Sequence, residues 1–166
     1  MTERKKKQRV VLSLLVLLWA GVIFWFSAQS GDDSSAASGR IVRQVIRLLL
    51  PGFETIPEAE QETILGTVTL IVRKGAHFSE YLILGSLLWG LIRTCTDRWK
   101  RLLGISWTVG TLYAVSDELH QMFSSGRSPK AADVCIDSAG VMAGILLCFL
   151  VFAYVRRRKR SRRAEN

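Results

Sequence analysis

Apolar residues in this chain fall into blocks, and the charged residues gather between the blocks. Residues 10–28 are apolar apart from small residues, with Ser13 and Ser27 the polar interruptions. At about 1.5 Å per residue, a helix of this length crosses a hydrocarbon layer of roughly 30 Å. A cleavable signal peptide also sets basic residues before an apolar run. This run exceeds the usual h-region of about 7–15 residues, so a retained helix is expected. Further apolar blocks cover 76–92, 102–119 and 134–155. Runs this long do not suit barrel strands, which need only about 9–11 residues. The expected fold class is all-α: an integral membrane bundle of four transmembrane helices.

Shorter elements fit between the blocks. Residues 29–39 are small and polar and predict a loop. Over 39–50, Arg40, Arg43 and Arg47 recur at helical spacing among Ile41, Val42, Val45, Ile46, Leu48 and Leu49. This pattern predicts an extracytoplasmic amphipathic helix, too short to span, lying in the interface with its arginines toward lipid headgroups. Pro51-Gly52 ends it. Pro57 opens another helix, with Glu58, Glu60 and Glu62 in the first turns, where the helix dipole favours acids. That helix runs into apolar 64–72.

Charge then sets an orientation. The chain carries a net +9 while 49% of its residues are hydrophobic. With both termini and the 93–101 loop on the cytoplasmic side, 16 of the 23 Lys and Arg residues lie inside, as the positive-inside rule requires. A basic run can bind nucleic acid, but both terminal runs here abut apolar spans, so no nucleic-acid partner is expected. The domains read as a basic cytoplasmic N-terminus at 1–9, a transmembrane domain at 10–155 and a basic cytoplasmic tail at 156–166. Cys95, Cys135 and Cys148 form no metal-knuckle spacing and no disulfide frame.

Three polar stripes converge on the outer face of this topology. At about 100° per residue, Arg73, His77, Glu80 and Tyr81 share a stripe that Leu84 and Leu88 continue, with Lys74 beside it. Gly110, Tyr113, Asp117, His120 and Gln121 form a second stripe, flanked by Glu118. Asp133, Asp137, Gly140 and Gly144 form a third. The Gly140/Gly144 pair is a small-xxx-small face for close helix approach, so the two aspartates should point into the bundle. Buried acids need partners, and Arg73, Lys74, Arg127 and Lys130 are the available cations.

Three functions suit such a cluster. It can lock helix ends by acid–base pairing. It can bind a phosphorylated headgroup through Arg73, Lys74 and Arg127. It can also run acid–base chemistry, with His77, Glu80, Asp117, His120 and Asp133 as candidates, or hold a divalent ion. No His-Glu-x-x-His, Gly-x-Ser-x-Gly or phosphate-loop motif is present, and neither a metal site nor a cofactor is expected. Ionisable residues inside a membrane point to function by default, which favours an outward-facing polar pocket.

Three segments resemble motifs of the VanZ-like family, named after an accessory membrane protein associated with teicoplanin resistance. Phe26-Ser27-Ala28-Gln29-Ser30 is similar to its Phe-Ser-x-Gln-Ser segment. Arg73-Lys74-Gly75-Ala76-His77-Phe78-Ser79-Glu80-Tyr81 is similar to Lys-x-x-His-Phe-x-Glu-Tyr. Asp117-Glu118-Leu119-His120-Gln121-Met122-Phe123, with Gly126-Arg127-Ser128 and Asp133, resembles the most distinctive block. Asp137 stands where members carry Asn or Asp, so its role there does not demand a charge. The resemblance implies a multi-pass bacterial plasma-membrane protein of the cell envelope with a link to glycopeptide tolerance. The partners it suggests are membrane lipids and a lipid-linked cell-wall precursor or glycopeptide.

The orientation has a direct check. A cysteine placed at position 125 is expected to label from outside whole cells, while Cys95 stays protected until the membrane is opened. The reverse pattern would overturn the assignment of the polar stripes to the outer face.

Overall fold

The computed structural model describes the backbone of residues 3–29, 31–123 and 130–164 and the side chains of 3–29, 38–123 and 130–162. Within these the chain is all helix: α1 (Glu3–Ser27), α2 (Gly31–Leu49), a 3₁₀ turn at Phe53–Thr55, α3 (Glu58–Arg93), α4 (Trp99–Gln121) and α5 (Ala131–Ala164). No strand occurs among the described residues.

Two elements differ from expectation. The polar stretch taken for a loop is helical from Gly31 and continues into α2. It holds no proline, and extending an existing helix adds one hydrogen bond for each residue fixed, so propagation is cheap once the arginine-bearing turns have formed. The separate helices expected before and after residue 73 are one helix, α3, of 36 residues. Arg73 and Lys74 do not interrupt it, because charged side chains leave the backbone ladder intact. At about 1.5 Å per residue, α3 is about 54 Å long. The starts and stops follow local chemistry. Gly52 takes φ 93°, which breaks the chain direction after α2, and Pro57 stands immediately before α3.

Stretches long and apolar enough to cross a membrane lie within Glu3–Ser27 and Ala131–Arg162. The other two blocks expected to span fall short of that test. α3 carries Arg73, Lys74 and Glu80 within its length, and α4 begins with Lys100 and Arg101 and ends with Asp117 and Glu118.

The core forms where α1, α3, α4 and α5 meet. Ile23, Tyr81, Leu84, Leu88, Trp89, Leu102, Ala114, Val141 and Ile145 are buried together. α3 and α5 share the most extensive contact, because their backbones touch. A methyl group on Gly140 would overlap the Phe78 carbonyl oxygen, one on Gly144 the Leu82 carbonyl oxygen, and one on Gly85 the Val141 carbonyl. Ser86 Oγ crosses the same seam to the Gly144 carbonyl at 3.3 Å. α4 joins α5 through Thr111 and Ser138, 2.8 Å apart, and through Trp107 Nε1, which donates to Ser138 Oγ at 3.0 Å. α1 is tied at two levels, near its start and around Trp19–Ala20. Arg9 donates to Thr94 near one end, Tyr113 Oη donates to the Ala20 carbonyl at 2.7 Å, and Trp19 Nε1 donates to the Glu80 carbonyl at 2.9 Å.

A second, smaller core holds α2 against the start of α3. Val42, Ile46 and Phe53 are buried there, packed by Ile56, Ile64, Leu65 and Val68. Outside both cores the long helices show broad apolar faces, including Leu17, Leu18, Leu70, Leu112 and Leu150.

The α3–α5 seam predicts its own sensitivity. Gly144→Val is expected to cost about 1–3 kcal/mol or more by overpacking. Gly104→Ala, where a Cβ meets nothing within 4 Å, is expected to be neutral or stabilising by up to about 1 kcal/mol. Thermal unfolding of the detergent-solubilised variants measures both. Equal melting temperatures would sink the backbone-contact account.

Candidate functional site

Antiparallel packing brings the end of α1, the middle of α3, the end of α4 and the start of α5 to one level. The polar residues of these four segments therefore meet. The last turns of α4 present Asp117, Glu118 and Gln121 inward, all buried. The first turns of α5 present Asp133 and Asp137, with Asp133 in the turn where the helix dipole suits an acid. α3 contributes Lys74, His77 and Tyr81.

At the centre, Ser27 Oγ donates to Asp117 Oδ2 at 2.9 Å, and Gln121 Nε2 donates to Ser27 Oγ at 2.7 Å. Gln121 Nε2 also stands 3.4 Å from Asp117 Oδ2, which closes a triangle across α1 and α4. Asp117 is only 3% exposed. Tyr81, fully buried, places its hydroxyl close to Asp117 without hydrogen-bond geometry. Asp137 is 1% exposed, and its Oδ1 lies 3.9 Å from His77 Nδ1, within ion-pair range but too long for a hydrogen bond.

At the rim, Lys74 Nζ pairs with Asp133 Oδ1 at 3.1 Å, the two side chains being 38% and 30% exposed. Glu118 Oε1 accepts the Lys130 backbone N–H at 2.5 Å. Arg73 and Glu80 are half-buried on α3, and the Glu80 carbonyl holds Trp19. His120 is half-buried and stacks on Phe24 of α1, ring centroids 4.2 Å apart. Arg127 lies outside the described residues.

The expectation that cations pair the buried acids is thus corrected for Asp117. Among the described residues it is held by the neutral donors Ser27 and Gln121, while Asp133 forms an ion pair with Lys74. The physical reason is depth. Lys74 leaves the membrane-side interior for the rim with its long side chain, whereas hydroxyl and amide groups reach a buried carboxylate at less desolvation cost. The two histidines also lean on different helices, His77 toward α5 and His120 toward α1.

Chemically this is an acceptor-rich floor beneath a rim of mixed charge, with Arg73 and Lys74 beside Glu80 and Asp133. Asp117 Oδ1, Asp137 Oδ1, Tyr81 Oη and His120 Nδ1 are buried, and none has a hydrogen-bond partner among the described residues. Each keeps capacity for one more hydrogen bond. No group of three His, Cys, Asp or Glu side chains among the described residues is placed to hold a metal ion.

Ser27 is the central residue that pattern reading passes over. By composition it is a small neutral interruption of an apolar block. Its signal was the Phe26-Ser27-Ala28-Gln29-Ser30 motif, which puts a hydroxyl at the end of α1. Trp19 was likewise part of an apolar block, yet it donates a hydrogen bond that ties α1 to α3, and Tyr113 of the second polar stripe ties α1 to α4.

Ser27→Ala removes the donor to a buried carboxylate. A loss of about 1–3 kcal/mol is expected, and Asp117→Asn should cost less in the Ser27→Ala background than alone. A double-mutant cycle on melting temperature checks this, and additive effects would show that the pair is not coupled.

Comparison with curated proteins gives no match, and comparison with solved structures gives none. Residues 12–152 match the family described as VanZ/LLP1. The motifs on α1, α3, α4 and α5 that build the polar cluster all lie inside that range. With the match running through most of its length, the chain belongs to the VanZ/LLP1 family.

Proposed function

We propose that this protein spans the bacterial plasma membrane four times, through α1, α3, α4 and α5, with both termini cytoplasmic, and that the polar cluster opens outward as a binding pocket for an anionic cell-envelope component. The observation that carries the proposal is a half-exposed cation set over a buried acceptor floor: Lys74, paired with Asp133, at the rim, and Asp117, Asp137 and Tyr81 beneath. Support for four spans comes from the apolar residues that all four long helices leave exposed, such as Leu17, Ile83, Leu112 and Leu150. Exposed apolar area on that scale needs a partner, and lipid supplies one.

The arrangement restricts the ligand. A phosphate cannot descend to the floor, where carboxylates would repel it. It would sit at the rim against Lys74 and Arg73, with Arg127 as a further contact. The floor would accept hydrogen bonds from hydroxyl or amine groups of the same ligand. A lipid-linked sugar phosphate, such as a cell-wall precursor, combines both features. A role in glycopeptide tolerance rests on the family and belongs to the same proposal.

A second reading makes the protein a membrane hydrolase or transferase on such a lipid. The observation in its favour is His77 beside Asp137, since a carboxylate can orient an imidazole for proton transfer. The purely structural reading, in which the cluster only locks helix ends, draws on the Ser27–Asp117–Gln121 triangle.

Native mass spectrometry of the purified chain with a polyprenyl phosphate separates these readings. Retention by the wild type and a loss of about tenfold or more in Lys74→Ala, the scale of one charge-assisted contact, supports binding. Consumption of the lipid by wild type but not by His77→Ala supports catalysis. No retention by a folded wild type would leave the structural role, and teicoplanin inhibitory concentrations should then be indifferent to Lys74→Ala.

A further inference from the structure

At the end of the bundle away from the polar cluster, the start of α1 and the end of α3 bound a cleft of about 1020 Å³. That volume stands at the upper end of small-molecule sites, roughly 300–1,000 Å³. The two helices run antiparallel there, since Arg9 donates to Thr94 and Leu12 lies against Gly90. Val11, Leu12, Trp89 and Gly90 therefore line the inner part, and every charged lining residue lies nearer the mouth.

The mouth carries an excess of positive charge. Arg4, Lys5, Lys7 and Arg93 stand there with Glu3 and Asp97, four cations to two acids. None of the ion pairs among the described residues involves them. Arg93 is held on two rings, its guanidinium carbon 3.4 Å from the Phe152 centroid and 4.9 Å from that of Trp89. A guanidinium stacked on a ring keeps its N–H edge for oxygen ligands, and phosphate oxygens match that fork.

The face of α1 that lines the cleft continues as an apolar stripe. At about 100° per residue, Arg4, Lys7, Val11, Leu15 and Leu18 fall within an arc of about 80°. Val11, Leu15 and Leu18 are 55%, 41% and 67% exposed. The arc lies beside the edge of Val16, Trp19 and Ile23 that packs on the core. Lys7 and Leu18 are eleven residues apart, about 16 Å along the axis. One leaflet, half of a hydrocarbon layer of roughly 30 Å, is about 15 Å deep. Cations and stripe thus share one face and are spaced as a phosphate and an acyl chain are. A soluble anion would use the mouth alone, whereas a membrane lipid covers both. A zwitterionic headgroup leaves the surplus of cations as it was, and a headgroup with net negative charge reduces it.

We propose that the α1–α3 cleft is a binding site for one anionic phospholipid, its phosphate held by Arg4, Lys7 and Arg93 and an acyl chain laid along Val11, Leu15 and Leu18. The site rests on α1 lying in the bilayer and does not depend on the polar cluster. Lys74 and Gly90 are sixteen residues apart on α3, about 24 Å along the axis.

Native mass spectrometry of the full chain, titrated with phosphatidylglycerol or phosphatidylethanolamine, tests it. The first phosphatidylglycerol should be retained about tenfold more tightly than phosphatidylethanolamine, and Arg4→Gln/Lys7→Gln should remove that preference. Both side chains are exposed, so the fold does not depend on them. Lys6→Gln/Arg157→Gln takes two charges from the same end of the molecule, outside the arc and the cleft lining, and should leave the preference intact. Lys74→Ala should leave it intact as well, which keeps a failure here distinct from a failure of the proposed function. Equal retention of the two lipids, or retention of neither by the folded chain, overturns the proposal. So does a preference that survives Arg4→Gln/Lys7→Gln. An equal loss in Lys6→Gln/Arg157→Gln shows diffuse charge attraction and also overturns it. Displacement by millimolar glycerol phosphate overturns the lipid as occupant.

Discussion

Contact between the backbones of α3 and α5 is the constraint from which the rest of this molecule follows. Where lipid surrounds helices, burying a leucine gains little, since acyl chains are as apolar as the core. Close packing and interhelical hydrogen bonds must then do the holding. Gly85, Gly140 and Gly144 allow the two helices to approach until carbonyl oxygens lie where a Cβ would be. That approach fixes the height of α5 against α3, so Asp137 comes beside His77 and Asp133 beside Lys74. Val141, wedged between Gly85 and Gly110, then sets how closely α4 can join. The polar cluster is a consequence of this seam rather than an addition to it.

Much of the cluster could be read from spacing alone. The stripe of Asp133, Asp137, Gly140 and Gly144 tells which way the aspartates point, because glycines at helical intervals mark the side of closest approach. Tyr81, Leu84 and Leu88 continue one another into the core for the same geometric reason. What spacing does not carry is which donor meets which acceptor. The partner of Asp117 is a serine on α1, 90 residues away in sequence, and although the motif around Ser27 marks it out from Ser13, helical spacing does not say which acid it meets. Charge counting pointed instead to the arginines and lysines, which are the wrong partners at that depth.

The fold was legible to a similar degree. The apolar blocks identify the long helices, and Pro51-Gly52 and Pro57 identify the break between α2 and α3. The same reading stopped at residue 39, because small polar residues carry no periodic signal, although the helix runs back to Gly31. It divided α3 at Arg73 because composition changes there. Helix continuity depends on backbone hydrogen bonds, which a pair of cations does not interrupt.

The length of α3 has a mechanical consequence. On the four-span topology proposed above, a rod of about 54 Å would exceed a hydrocarbon layer of roughly 30 Å and would lean, protrude, or both. α2 is fastened near one end of that rod by Val42, Ile46 and Phe53, and the Arg9–Thr94 link grips the other end. Any change in lean swings α2 through a larger arc than it moves the polar cluster near the middle. On that proposed topology bilayer thickness would be an input to the height of α2, with α3 as the lever arm and the glycine seam as its fulcrum.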